Sequence, residues 1–292
     1  MRLGTSMNVL FEPEPKSVHS ALERLARAGF QVLDFDFCDW LFEGSPLVGD
    51  GWESWIKSIR QHADRLGLQF TQMHGPIFNK FGDEEKTKWF MAMSHRALEA
   101  ASLLGCSWVV LELEPLPGAF DNQHLQQLKE RNIAWIAELL PTAERCGVGI
   151  AIENNADVPD RERKRRRAYG STPAELIDLV DTFNHPLLGI CWDTGHAHIQ
   201  RLEQAAALKA IGKRLKATHI QDNNGEQDQH LLPFHGTIDW QSVVTALREI
   251  GYEGDFVYEV HNFVRPLPDR LRDAVLRYAV EIGRFLLNEN PL

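Results

Sequence analysis

Residues 147–154 read Gly147-Val148-Gly149-Ile150-Ala151-Ile152-Glu153-Asn154, or GVGIAIEN. The run is apolar at successive positions and stops abruptly at a carboxylate and an amide. A strand that is apolar on both faces suits a parallel sheet covered by helices. The flanks agree. Helical spacing over 123–145 precedes the run, and Gly147 stands where a helix can end in a left-handed residue. A second helical stretch, 173–183, follows, and the next apolar run, 187–193 (LLGICWD), again ends on an acid.

The same alternation extends outward in both directions. The pattern predicts strands at 2–9, 30–37 (FQVLDFDF), 68–74 (LQFTQMH), 106–113 (CSWVVLEL), 147–154, 187–193, 215–221 (LKATHIQ) and 254–261 (GDFVYEVH). It predicts helices at 17–28, 51–66, 84–104, 123–145, 173–183, 201–213, 239–249 and 267–287. Ser17 and Asp239 stand where helix N-caps are expected, and Gly67, Gly105, Gly147 and Gly251 mark helix-to-strand junctions. Eight β-then-α units predict an α/β fold: a single (β/α)8 barrel with eight parallel strands, spanning 1–292 as one domain. An open doubly wound sheet is the alternative. It lacks support from any GxGxxG or GxxxxGK[ST] run.

Composition narrows the class. The chain has 292 residues, 43% hydrophobic and 25% charged, enough to bury a large core without a disulfide or metal staple. Cys38, Cys106, Cys146 and Cys191 form no CxxC and are expected to be reduced thiols. Asp and Glu number 41 against 31 Lys and Arg, a net charge of −10, which opposes a general nucleic-acid binder. The N-terminus lacks a signal-like apolar stretch, and no apolar run approaches the roughly 20 residues of a membrane span. The expected location is the cytoplasm, with no membrane partner. One segment departs from the acidic character. Residues 160–167 (DRERKRRR) hold six basic side chains, from Arg161 to Arg167. They read as a solvated loop, or as a flap that meets an anionic substrate or a partner subunit.

In a parallel barrel the functional groups gather at the C-terminal ends of the strands. Those ends carry His74, Glu112 and Glu114, Glu153-Asn154-Asn155, Asp193-Thr194-Gly195-His196-Ala197-His198, His219 and Asp222, then Asp228 and His230, and finally Glu259 and His261. So many carboxylates and imidazoles at one end need a neutralising partner. A divalent cation supplies it through carboxylate and neutral imidazole ligands. Val32, Asp34 and Asp36 share one face of the second strand, so both acids are expected at the barrel mouth, as substrate contacts or structural ion pairs. Among the aromatics, Phe78 and Phe234 read as pocket walls, and Trp40 and Trp192 as further groups able to stack on a substrate. Trp89 and Trp240 read as packing residues.

The runs GVGIAIENN, LGICWDTGHAHI, THIQDNNGEQDQHLLPFHGTIDW and FVYEVH together resemble the xylose-isomerase-like TIM-barrel superfamily. The superfamily includes sugar isomerases and epimerases, inosose dehydratases and endonuclease IV. For its sugar-converting members, the resemblance implies one divalent cation held by Glu153, Asp193, His219 and Glu259. Mn²⁺ is the first expectation, with Mg²⁺, Co²⁺ and Zn²⁺ as alternatives. His196, in the D-T-G-H run, matches a substrate-facing histidine. Endonuclease IV uses three zinc ions, and its further ligands match His74, His196, Asp228 and His230. Its fourth-strand histidine is replaced here by Glu112. The loop Pro233-Phe234-His235-Gly236-Thr237 has one glycine fewer than the usual pattern, so it is expected to differ.

The resemblance implies a metal-dependent isomerase or epimerase acting on a sugar or cyclitol, with Glu153 and Glu259 as the acid–base pair. His74, Glu112, His196, Asp228 and His230 are then substrate-facing. An inosose-dehydratase-like lyase is the alternative, and an endonuclease-IV-like zinc phosphodiesterase a further one. A homo-oligomer, dimer or tetramer, is also implied.

Overall fold

The computed structural model describes residues 1–77, 83–113, 122–159 and 165–287. Eight parallel strands form its centre: β1 (Leu3–Ser6), β2 (Val32–Asp36), β3 (Gln69–His74), β4 (Trp108–Glu112), β5 (Gly149–Glu153), β6 (Leu188–Asp193), β7 (Leu215–His219) and β8 (Phe256–Tyr258). The ladder runs β8-β1-β2-β3-β4-β5-β6-β7. A parallel bridge between Ile220 and Tyr258 joins its two ends. There the Ile220 amide donates to Val257 O at 2.8 Å and the Glu259 amide to Ile220 O at 3.0 Å. The sheet therefore closes, which excludes the open doubly wound alternative.

The outer layer consists of α1 (Ser17–Ala28), α2 (Trp52–Leu66), α3 (Glu84–Leu104), α4 (Asn122–Cys146), α5 (Pro173–Phe183), α6 (Gln204–Ile211), α7 (Trp240–Glu249) and α8 (Asp269–Leu287). The strand faces turned toward these helices carry Leu33, Phe35, Met73, Val109, Leu111, Ile150, Ile152, Ile190 and Trp192 and merge with them in one apolar core. The inner faces are built differently. Val110, Ala151, Cys191 and Ala217 form a small separate cluster inside the barrel. Because side chains alternate along a strand, the residues two positions further along point the same way. These are Glu112, Glu153, Asp193 and His219. A layer of small apolar groups thus forms the floor beneath a polar mouth.

Some local expectations change. Predicted helix 201–213 is α6, preceded by a short helix Thr194–Ile199 and followed by a 3-10 turn Gly212–Arg214. Ser17 does not cap α1 by accepting amides; its hydroxyl donates to the carbonyls of Glu12 and Glu14. Asp239 does cap α7, accepting from Ser242 N at 3.2 Å. The four cysteines are unbridged. Among the described residues no helix is long and apolar enough to cross a membrane. Glu114, Phe78 and residues 160–164 of the basic run lie outside the described residues.

Candidate active site

At the C-terminal mouth, one donor atom each from Glu153, Asp193, His219 and Glu259 lies within 4.8 Å of the others, and all four residues are buried. His219 Nδ1 stands 2.9 Å from Glu153 Oε2 and 3.6 Å from Glu259 Oε2. Neither His219 Nδ1 nor Glu153 Oε2 makes a hydrogen bond, although both are buried. Buried polar atoms are normally satisfied, so two orphans facing each other mark a position where a third group binds. Three carboxylates and an imidazole suit a divalent cation.

The other histidines ring this centre. His74 Nε2 is 3.6 Å from Glu112 Oε1 and 3.9 Å from Glu153 Oε2. His196 Nε2 is 3.5 Å from Asp228 Oδ2, and His230 Nε2 is 3.0 Å from the same oxygen. Each ring is pinned at its other nitrogen. His74 Nδ1 meets Gly75 O at 3.0 Å, His196 Nδ1 meets Asn154 O at 2.9 Å and His230 Nδ1 meets Glu259 O at 3.0 Å. A carbonyl oxygen only accepts, so those nitrogens carry the protons and each Nε2 faces the mouth. The structure therefore brings together the four residues expected to hold the cation and the five expected to face substrate.

Electrostatics reflects the crowding. Burial opposes ionisation of Glu153, but His219 and His196 hold its carboxyl well below the usual range. Asp193 is pushed up to about 7 by burial and by the charges of Glu153, Glu259 and Asp228, which outweigh His196. Burial disfavours charge on His74, His196 and His219 too, yet the surrounding groups raise all three well above the ordinary imidazole range. The mouth demands positive charge. A divalent cation held by Glu153, Asp193, His219 and Glu259 would supply it, with His219 then ligating in its neutral form.

The motifs have local physical causes. In D-T-G-H, Asp193 caps the short helix by accepting from His196 N at 2.6 Å. Thr194 Oγ1 donates to Gln221 O at 2.7 Å. A Cβ on Gly195 would lie 2.2 Å from the Gln221 side chain, whose amide reaches Asp228 Oδ1 at 2.7 Å and Asp193 Oδ2 at 3.4 Å. In the following loop, Asp222 accepts from the amides of Asn223, Phe234 and Ile238 and from Trp240 Nε1. Asn154 joins β5 to β6 through both ends of its amide, with Oδ1 accepting from Asp193 N at 2.6 Å and Nδ2 donating to Asp193 O at 2.9 Å. These roles are not legible in the sequence, because Asn154 and Gln221 reach Asp193 39 and 28 residues away and Asp222 gathers donors as far as Trp240, 18 residues on.

The family model described as xylose isomerase-like TIM barrel matches residues 22–279. The chain belongs to this family. A D-psicose 3-epimerase of Enterocloster bolteae is 32% identical over 245 residues, covering 82% of this chain and 75% of that protein. An uncharacterized protein of Methanocaldococcus jannaschii is 28% identical over 280 residues, covering 94% and 86%. Among solved structures, the IOLI protein with a bound zinc atom superposes with a TM-score of 0.77 at 18% identity, covering 99% of each chain. Other relatives in the xylose isomerase-like family include L-ribulose 3-epimerase and inosose isomerases.

Within this xylose isomerase-like barrel, several expected substrate contacts are occupied elsewhere. Arg167, the described end of the basic run, pairs with Asp157 and Glu175 and so braces its own loop. Trp192 Nε1 donates to Gln204 Oε1 at 3.2 Å on the helix side, and Trp40 packs against Phe11 and Trp55. Trp89, expected to be a packing residue, is instead 43% exposed on α3. Phe234, in the loop that lacks one glycine, takes a left-handed φ of 71° and rests edge-on against Phe285, with 53% of its surface exposed.

Proposed function

We propose that the chain is a divalent-cation-dependent sugar or cyclitol epimerase or isomerase, which moves a proton at a carbon beside a carbonyl. The observation that carries this reading is the convergence of Glu153, Asp193, His219 and Glu259 within 4.8 Å, with Glu153 Oε2 and His219 Nδ1 buried and without a hydrogen bond. The relatives named as sugar 3-epimerases and inosose isomerases support the reaction class, and the zinc-bound IOLI structure supports the cation. These four residues would hold the ion, with Mn²⁺ as the first expectation and Mg²⁺, Co²⁺ or Zn²⁺ as alternatives. Bound there, it supplies a Lewis acid that draws charge from a substrate carbonyl and its neighbouring hydroxyl.

The chain's own groups do the rest. Glu153 and Glu259 reach the site from non-adjacent strands, so one takes the proton and the other returns it. Return to the opposite face of the same carbon epimerises; return to the neighbouring carbon isomerises. His196 and His230, oriented by backbone carbonyls and joined through Asp228, face substrate hydroxyls on one side. His74 and Glu112 do so on the other.

The test combines metal analysis with turnover. Purified protein is expected to hold about one exchangeable divalent ion per chain and to interconvert C3 epimers of ketohexoses or isomeric inososes. In D2O the product should gain deuterium at the reacting carbon. Glu259→Gln, assayed at saturating metal, should lose kcat by at least about 100-fold while keeping its circular dichroism spectrum. Wild-type kcat in that variant would remove Glu259 from acid–base chemistry. Two or three tightly held zinc ions per chain would favour phosphodiester cleavage instead.

A further inference from the structure

The second strand carries an acid that the reaction itself does not require. Asp34 is fully buried inside the barrel, below the mouth. Its Oδ2 lies 3.0 Å from His219 Nε2 and accepts from Gln72 Nε2 at 2.7 Å. Its Oδ1 accepts from the His74 backbone amide at 2.8 Å. Gln72 Nε2 also reaches Thr218 O, at 3.3 Å, so the contact ties β2 and β3 to β7 across the interior. The His74 and His219 rings lie parallel, with centroids 5.3 Å apart and planes 7° apart.

This arrangement is made by two irregularities. Between β2 and β3 the register passes from Leu33 opposite Phe70 to Asp34 opposite Gln72, leaving Thr71 as an extra residue. Between β6 and β7 it passes from Ile190 opposite Leu215 to Cys191 opposite Ala217, leaving Lys216 extra. Each bulge reverses the phase of alternation and re-aims the side chains beyond it. Phe70 and Leu215 pack in the outer core, whereas Gln72 and Ala217 point inward. The first bulge brings Gln72 and His74 to Asp34; the second brings His219 to it.

We infer that Asp34 is a positioning residue: its carboxylate holds the proton on His219 Nε2 and so presents Nδ1 to the cation site. The inference rests on the proposed cation site. A carboxylate behind a ligating imidazole fixes the ring's tautomer and angle, and removing one typically weakens metal binding by about 10- to 100-fold. Asp34 suits the task because its own hydrogen bonds to the His74 amide and the Gln72 amide group prevent it from swinging.

The experiment titrates metal-stripped wild type, Asp34→Asn and Asp36→Asn with Mn²⁺. In parallel, nitrogen NMR reads the His219 ring in Zn²⁺-loaded wild type. Asp36 is the next inward acid on β2, and its carboxylate takes the Asn8 amide, not His219. The expected result is a loss of about 10- to 100-fold in affinity for Asp34→Asn, near-wild-type affinity for Asp36→Asn, and His219 ligating through Nδ1 with its proton on Nε2. Equal affinity in wild type and Asp34→Asn overturns the inference, as do equal losses in both variants. His219 ligation through Nε2 overturns it even if Asp34→Asn does not fold. Wild type that binds no divalent ion overturns the proposed cation site itself.

Discussion

Asp222 gathers four N–H groups onto one buried carboxylate: the amides of Asn223, Phe234 and Ile238 and the indole of Trp240. It folds the loop that carries Asp228 and His230 back onto β7. Removing the acceptor leaves several buried donors unsatisfied, each costing about 1–3 kcal/mol. Asp222→Ala is therefore expected to lose at least about 3 kcal/mol in urea unfolding. Trp240→Phe, which removes one donor and some packing, should lose less. Equal stability of Asp222→Ala and wild type would show that the loop stands without this anchor. Asp222 also shows what a sequence reveals at this scale. Glu153, Asp193, His219 and Glu259 stand among many acids and imidazoles at the ends of apolar runs, and only the resemblance to the family marks them as a set. An anchoring acid such as Asp222 or Asp34 looks the same in sequence, but its meaning depends on partners many residues away.

At the scale of elements, alternation finds most of the inward positions. Val110 and Glu112, Ala151 and Glu153, and Cys191 and Asp193 follow it, so the polar mouth on β4 to β6 was legible. On β3 and β7 strict alternation from the core residues Phe70 and Leu215 would turn His74 and His219 toward the helices. The bulges at Thr71 and Lys216 reverse that, and neither carries a glycine or proline to announce it. The short helix Thr194–Ile199 falls between the expected strand 187–193 and the expected helix 201–213, because six residues give too little periodicity. Its Gly195 is a packing requirement. Gly195→Ala places a methyl 2.2 Å from Gln221, whose amide joins Asp193 to Asp228. Overpacking of this kind costs about 1–3 kcal/mol. The variant is expected to lose that much stability and also to bind Mn²⁺ more weakly. Adding Gln221→Ala should restore the stability lost to the clash. A double variant no more stable than Gly195→Ala alone would place the defect elsewhere.

The whole barrel is asymmetric: small apolar side chains form its inner floor, and carboxylates and imidazoles crowd one rim. Such a rim destabilises the fold unless opposite charge is bound there. Asp193, pushed up to about 7 by burial first and then by the charges of Glu153, Glu259 and Asp228, shows how strongly the rim resists a further negative charge. A ligand that binds only the folded chain stabilises it by about 2.7 kcal/mol at one hundred times its Kd. With about 2 °C per kcal/mol for a chain of this size, saturating Mn²⁺ should raise Tm by about 5 °C over chelator-treated protein. Asp193→Asn removes one of the proposed charged ligands. It should therefore shift the metal dependence to higher concentration while narrowing the gap between Mn²⁺ and chelator at a fixed dose. A Tm indifferent to metal in wild type would mean that the rim is balanced by its own histidines. The four converging donors would then be structural, and the proposed cation site would fall.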